Sequence, residues 1–117
     1  MFSVAKRGNH KDWSDDEEVA KKASEISHLV SENEMQAATA AMYQLIESKP
    51  NDGFVHTLAA SLFLKMGDEK SALREIAITL ALLPENPVPY KMLAKILEEE
   101  NFPEIAETMR GLSNRLS

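Results

Sequence analysis

The chain contains no cysteine, and that absence removes disulfide cross-links, thiolate nucleophiles and every zinc site built on sulfur ligands. Stability has to come from packing. Glycine is scarce, with four in 117 residues, and none of the four sits in a loop that could cradle a phosphate. Positive charge is in the minority: 13 Lys and Arg face 19 Asp and Glu, a formal net charge of -6. That balance works against a nucleic-acid partner, which draws on clustered cations. Long apolar runs are missing too. The first residues, MFSVAKRGNHKDW, reach Lys6 and Arg7 before an apolar segment can develop, so neither a signal peptide nor a membrane span is expected and a cytoplasmic location is the default. A chain of 13.0 kDa is large enough for one modest core and too small for two.

What the sequence does contain is a repeat. Pro50 and Pro84 are separated by 34 residues, Ala38, Ala72 and Ala106 follow the same step, and so do Asn33, Gly67 and Asn101. Three series in one register define a stacked architecture of 34-residue units. Within each unit apolar residues recur at steps of three and four, the spacing of one helix face. In the middle unit Val55, Leu58, Ala59, Leu62 and Phe63 trace a first helix, and Leu73, Ile76, Ala77 and Leu80 a second. Gly67 tolerates the backbone of a helix end, and the Asp68 carboxylate is placed to cap the next helix. In the outer units asparagine takes the break position, and Asn33 with Gln36 and Asn101 with Glu104 also have capping-box spacing. Pro50-Asn51-Asp52-Gly53 and Pro84-Glu85-Asn86-Pro87 close one unit and open the next. The expected helices cover about 15–31, 34–48, 53–66, 69–82, 87–99 and 102–116.

Residues 1–13 carry Lys6, Arg7 and Lys11 without periodicity and are expected to form a tail. A single all-α domain over 14–117 follows, with units at 19–52, 53–86 and 87–117. Ser14-Asp15-Asp16-Glu17 has capping-box spacing, and its acidic residues suit a helix N-terminus. Trp13, just before the Ser14 cap, is expected to staple onto the first turn near Val19, with docking of the tail as the competing reading.

These residues resemble the tetratricopeptide repeat family over about 19–117. Unit two matches best, with Ala60 and Phe63 at the small and aromatic positions of the first helix, Gly67 at the turn, Ala72 at the tight crossing, Ile76 and Thr79 on the inner face and Pro84 at the end. Unit one matches through Ala38, Met42, Leu45 and Pro50, but carries Lys22 where a tryptophan-like residue is usual and Ile26 where a small one is. Unit three matches through Tyr90, Leu93, Ala94, Leu97 and Ala106, then places Arg110 and Ser113 where apolar contacts are usual, as if the stack ended in a polar face. The resemblance implies antiparallel helical hairpins stacked in a short right-handed superhelix.

It also implies a function. First helices of such repeats line a concave groove, here Ala20, Ala23, Ser27 and Val30, then Phe54, Thr57, Ser61 and Leu64, then Val88, Lys91, Lys95 and Glu98. Of these Ala23, Ser27, Phe54, Thr57, Ser61, Leu64, Val88, Lys91 and Lys95 are the candidate partner-binding residues. The expected partner is another protein, as a peptide or helical segment with apolar anchors and an acidic end opposite the lysines. An ordinary solvated face is the plainer reading of Lys91 and Lys95. The family's clamp for a terminal carboxylate is not expected, because Ala23, Ser27, Leu58, Val88 and Met92 occupy its positions. Self-association as a homodimer or assembly subunit is the competing function, and small bacterial secretion chaperones of similar length are a third resemblance.

An enzyme is not expected. His10, His28 and His56 stand far apart with no partner ligand at helical spacing, so no metal and no cofactor is implied. Asp15-Asp16, Glu17-Glu18 and Glu98-Glu99-Glu100 are the surface charge of helix ends and solvent faces. Met35, Met42, Met66, Met92 and Met109 fall mostly on apolar faces, as core filling.

Overall fold

The computed structural model describes residues 16–117. The expected tail, the Trp13 staple and the Ser14 cap lie outside the described residues. Six helices make up the regular structure of the described part: α1 (Glu17–Ser31), α2 (Met35–Ser48), α3 (Gly53–Lys65), α4 (Glu69–Leu82), α5 (Val88–Glu99) and α6 (Pro103–Leu116). The fold is all-α and repeat-like. α1 packs with α2, α3 with α4 and α5 with α6; α3 also packs on both helices of the first pair, and α5 on both of the second.

The turns inside the three pairs are copies of one another. Asn33, Gly67 and Asn101 all have positive φ, at 60, 79 and 71°. In each copy the amide of that residue donates to the carbonyl three residues back, Val30, Leu64 or Glu98. The next amide, of Glu34, Asp68 or Phe102, donates five residues back to Leu29, Phe63 or Leu97. Both bonds satisfy carbonyls that a helix end leaves open; glycine has no Cβ to strain the left-handed backbone, and asparagine tolerates it because its short polar side chain can bond locally.

This placement corrects one expectation. Asn33 and Asn101 end the preceding helix and do not cap the following one; Glu34 and Phe102 are the N-terminal flanking residues of α2 and α6, and neither makes a side-chain capping bond. Asp68 does cap α4, accepting from the Ser71 amide at 3.1 Å. Hydrogen bonding from Ser71 holds the Asp68 carboxyl below its ordinary value.

Unit junctions repeat as well. Asp52 accepts from the amides of Phe54 and Val55 at the start of α3, and Asn86, 34 residues on, accepts from Val88 at the start of α5. The cap of α1 is Asp16, which accepts from Glu18 and Val19. Lys49, at the far end of the same hairpin, lies 2.8 Å from Asp16 Oδ2 and 3.7 Å from Glu18 Oε1.

The Lys49 hydrogen bond, then the Val19 amide, hold the Asp16 carboxyl below its ordinary value of 3.8. A depressed carboxyl contributes stability above its unfolded pKa, and that contribution is lost as pH falls through the folded one. Replacing Lys49 with methionine should therefore move the Asp16 titration upward in a carboxyl-detected NMR experiment. An unmoved titration would show that the pair does not form in solution.

Two clusters form the core. The larger joins α1, α2, α3 and α4 through residues such as Val19, Ile26, Met42, Val55 and Phe63, and the smaller seats Ile96 of α5 against Ala60 and Ile76. α3 lies between its neighbours, which is why it is buried around most of its circumference, including Val55, Ala59, Leu62 and Phe63. Ala38, Ala72 and Ala106 are fully buried, consistent with helix crossings too close for a larger side chain. Ala72→Leu should cost roughly 1–3 kcal/mol by overpacking, read as a drop in thermal midpoint; an unchanged midpoint would remove Ala72 from the crossing.

In the second helix of unit two the expected Ala72, Ile76 and Thr79 face inward and Leu80 packs on the core, but two residues of the expected apolar face do not. Ala72, Glu75, Ile76 and Thr79 are buried, while Leu73 and Ala77 point outward. Ser113, expected on a water-facing end, is 1% exposed: it repeats the inward position of Leu45 and Thr79, and the helix pairing buries it whatever its polarity. Arg110 does reach the surface, where it pairs with Glu98 at 2.7 Å and Glu107 at 3.1 Å.

Candidate functional site

Small side chains at Ser27 of α1 and Ser61 of α3 leave a hollow between the first helices of units one and two. It holds about 160 Å³ and is lined by Ile26, Val30, Leu58 and Leu62, with Lys65 at its edge. The apolar lining comes from the same residues that stack the two units: Ile26 and Leu62 belong to the core cluster, and Val30 and Leu58 pack against it. The volume matches that of a cavity of about 150 Å³ able to take a benzene ring, so one leucine- or phenylalanine-sized side chain fits. The hydroxyl groups and the Lys65 ammonium give such an anchor a polar margin.

Only part of the expected groove converges there. Ser27 and Ser61 both line the hollow. Ala23, Phe54, Leu64 and Val88 are half-buried, and Phe54 and Leu64 lean on the core. Thr57 is committed internally: it is 8% exposed, its hydroxyl donates to the Gly53 carbonyl at 2.8 Å and accepts from Asn86 Nδ2 at 3.4 Å. Thr57 thus holds the junction between units two and three from within. Lys91 and Lys95 lie elsewhere, in a separate cleft of about 490 Å³ between α5 and α6.

A buried polar pair escaped the sequence reading. His56 and Glu75 are 3% and 4% exposed, with His56 Nδ1 2.6 Å from Glu75 Oε1 and Nε2 2.7 Å from the Pro50 carbonyl. A carbonyl only accepts, so Nε2 carries a proton and donates it, and the Nδ1–carboxyl contact shares another. Arg74 Nε stands 3.6 Å from the outer carboxylate oxygen. Closed from solvent, the pair ties α3, α4 and the turn between units one and two.

The contact of His56 with Pro50, unlike that with Glu75, has a counterpart at the 34-residue step. Tyr90 stands 34 residues after His56, Pro84 stands 34 after Pro50, and the Tyr90 hydroxyl donates to the Pro84 carbonyl at 3.3 Å. The same position of the first helix twice reaches back to the proline that closes the preceding unit.

Among the described residues, no group of three His, Asp or Glu is placed to hold a metal ion, and no helix is long and apolar enough to cross a membrane. Neither a protein-family model, nor a curated protein, nor a solved structure matches the chain.

Proposed function

We propose that this chain is a tetratricopeptide-type protein-interaction module, an adaptor, scaffold or chaperone-like subunit that binds a peptide or helix of a partner protein. The observation that supports this reading is the hollow between α1 and α3, a socket lined by Ile26, Val30, Leu58 and Leu62 together with two serines and Lys65. Rigid helices hold its walls, so little ordering cost is left for binding. The partner's anchor is a leucine- or phenylalanine-sized side chain, presented from a helix or an extended segment. Catalysis has little to support it, since among the described residues the buried acid–base pair, His56 with Glu75, is closed to any substrate.

Filling the socket tests this directly. Ser61 is exposed, so Ser61→Trp should leave the fold intact while occupying the hollow. Affinity capture from the native host, read by mass spectrometry, should lose its specific partner with the variant, corresponding to at least a tenfold weakening, or about 1.4 kcal/mol. Retention of the same partner by a folded variant would move binding away from the socket.

A further inference from the structure

We infer that the segment captured by the socket between α1 and α3 is an amphipathic helix that carries an acidic residue one turn from its apolar anchor, and that this carboxylate pairs with Lys65. The inference rests on the binding reading above and names the chemistry of its partner.

Lys65 is the one charged side chain in the lining of the hollow. Val30 and Leu58 are half-buried, so an anchor can reach them, while Ser27, Ser61 and Lys65 are exposed. Lys65 makes no ion pair among the described residues. Nor does the repeat call for a cation here: Ser31 stands 34 residues earlier and Glu99 stands 34 residues later. The packing of a first helix is therefore indifferent to charge at this position, and the lysine belongs to this one junction. The net charge of -6 does not cancel it, because salt screens exposed charges beyond about 8 Å.

Spacing sets where the partner's carboxylate lies. Lys65 follows Ser61 by one turn of α3, roughly 6 Å along the axis. On a partner helix, a residue four positions from the anchor is displaced by the same step and stays on the same face. A helix also suits these walls better than an extended segment does. Extended peptides draw affinity from main-chain hydrogen bonds to a strand edge, whereas both walls here are helices whose backbone groups already pair along the helix.

The chain's own first residues are poorer occupants. Trp13 precedes Asp16 by three residues, a reach of about 10 Å, against roughly 16 Å along α1 from Asp16 to Ser27. Phe2 and Val4 have the length of chain but bring Lys6 and Arg7, like charges beside Lys65.

The test uses three synthetic helical peptides built around one leucine anchor, with glutamate, glutamine or lysine at both i−4 and i+4 so that either helix direction is served. Each is titrated into the ¹⁵N-labelled full chain, where the amide signals of Ser27, Ser61 and Lys65 report site and affinity together. The glutamate peptide should bind about threefold more tightly than the glutamine peptide, the size of an exposed ion pair, and the lysine peptide about threefold more weakly. Lys65→Glu should invert that order, Lys65→Gln should level it, and added salt should close the gap for the unaltered chain. Equal binding of the three peptides at Ser27 and Ser61 would overturn the inference and leave the socket standing; no shift at these amides with any peptide would remove both. Concentration-dependent shifts of the same amides without peptide would also overturn it, by giving the socket to a second copy.

Discussion

Replacing Glu75 with alanine should destabilise the protein by about 3–5 kcal/mol, because it strands a buried imidazole beside an empty acceptor position. His56 and Glu75 are each at least nineteen-twentieths buried, and the Pro50 carbonyl fixes the ring from its other side at 2.7 Å. His56→Ala should cost a similar amount. Yet the double substitution should cost much less than the sum, since each single change already removes the shared contact. Replacing both residues with leucine should recover most of the loss, because a buried ion pair is often no better than apolar residues of similar volume. Urea unfolding of the four proteins measures this cycle. Strict additivity would mean that the two side chains do not interact in the folded state.

Phe63→Ala should have an effect of the same size, about 3–5 kcal/mol, from lost transfer energy plus the cavity left behind. Phe63 is 1% exposed, belongs to the larger core cluster and meets the Tyr43 ring at a centroid distance of 5.8 Å. The repeat itself supplies a control. Leu29 and Leu97 occupy the corresponding positions in units one and three, so Phe63→Leu should cost less than about 1.5 kcal/mol. Denaturant midpoints distinguish the two substitutions; equal losses would mean that the repeat register assigned to Phe63 is wrong. A domain of this size has about 5–15 kcal/mol in total, so the alanine variant stands near its folding threshold.

How far the sequence reached depends on which physical cue each feature leaves in the string. The 34-residue step made the helices legible to within two residues of their bounds, because breaks and small crossings recur at fixed distances. The asparagines were harder. An asparagine both accepts a capping bond and tolerates a left-handed backbone, so Asn33 and Asn101 fit either role by spacing. Their positive φ decides it. In α4 the apolar pattern pointed to Leu73, whereas the buried face includes Glu75, a carboxylate admitted only because His56 meets it. No one-dimensional periodicity carries that pairing, nineteen residues apart.

The candidate site divided for a related reason. A common groove was inferred by treating the three first helices alike, and of its members Ser27 and Ser61 line one hollow. Lys91 and Lys95 of α5, however, line a separate cleft with Arg110, Ser113 and Asn114 of α6. Thr57 was misread in the opposite direction. Its hydroxyl is used inside the unit, donating to the Gly53 carbonyl and accepting from Asn86.

The central claim, that a partner's side chain enters the hollow between α1 and α3, is tested most directly by site-specific photocrosslinking in the native host. A benzophenone side chain would be placed at Ser27 or Ser61, and for comparison at exposed Ala40 on α2 or Lys70 on α4. The account predicts one discrete adduct from positions 27 and 61 and none of that mass from 40 or 70. An adduct of equal yield from all four positions, or one arising only from 40 or 70, would contradict it.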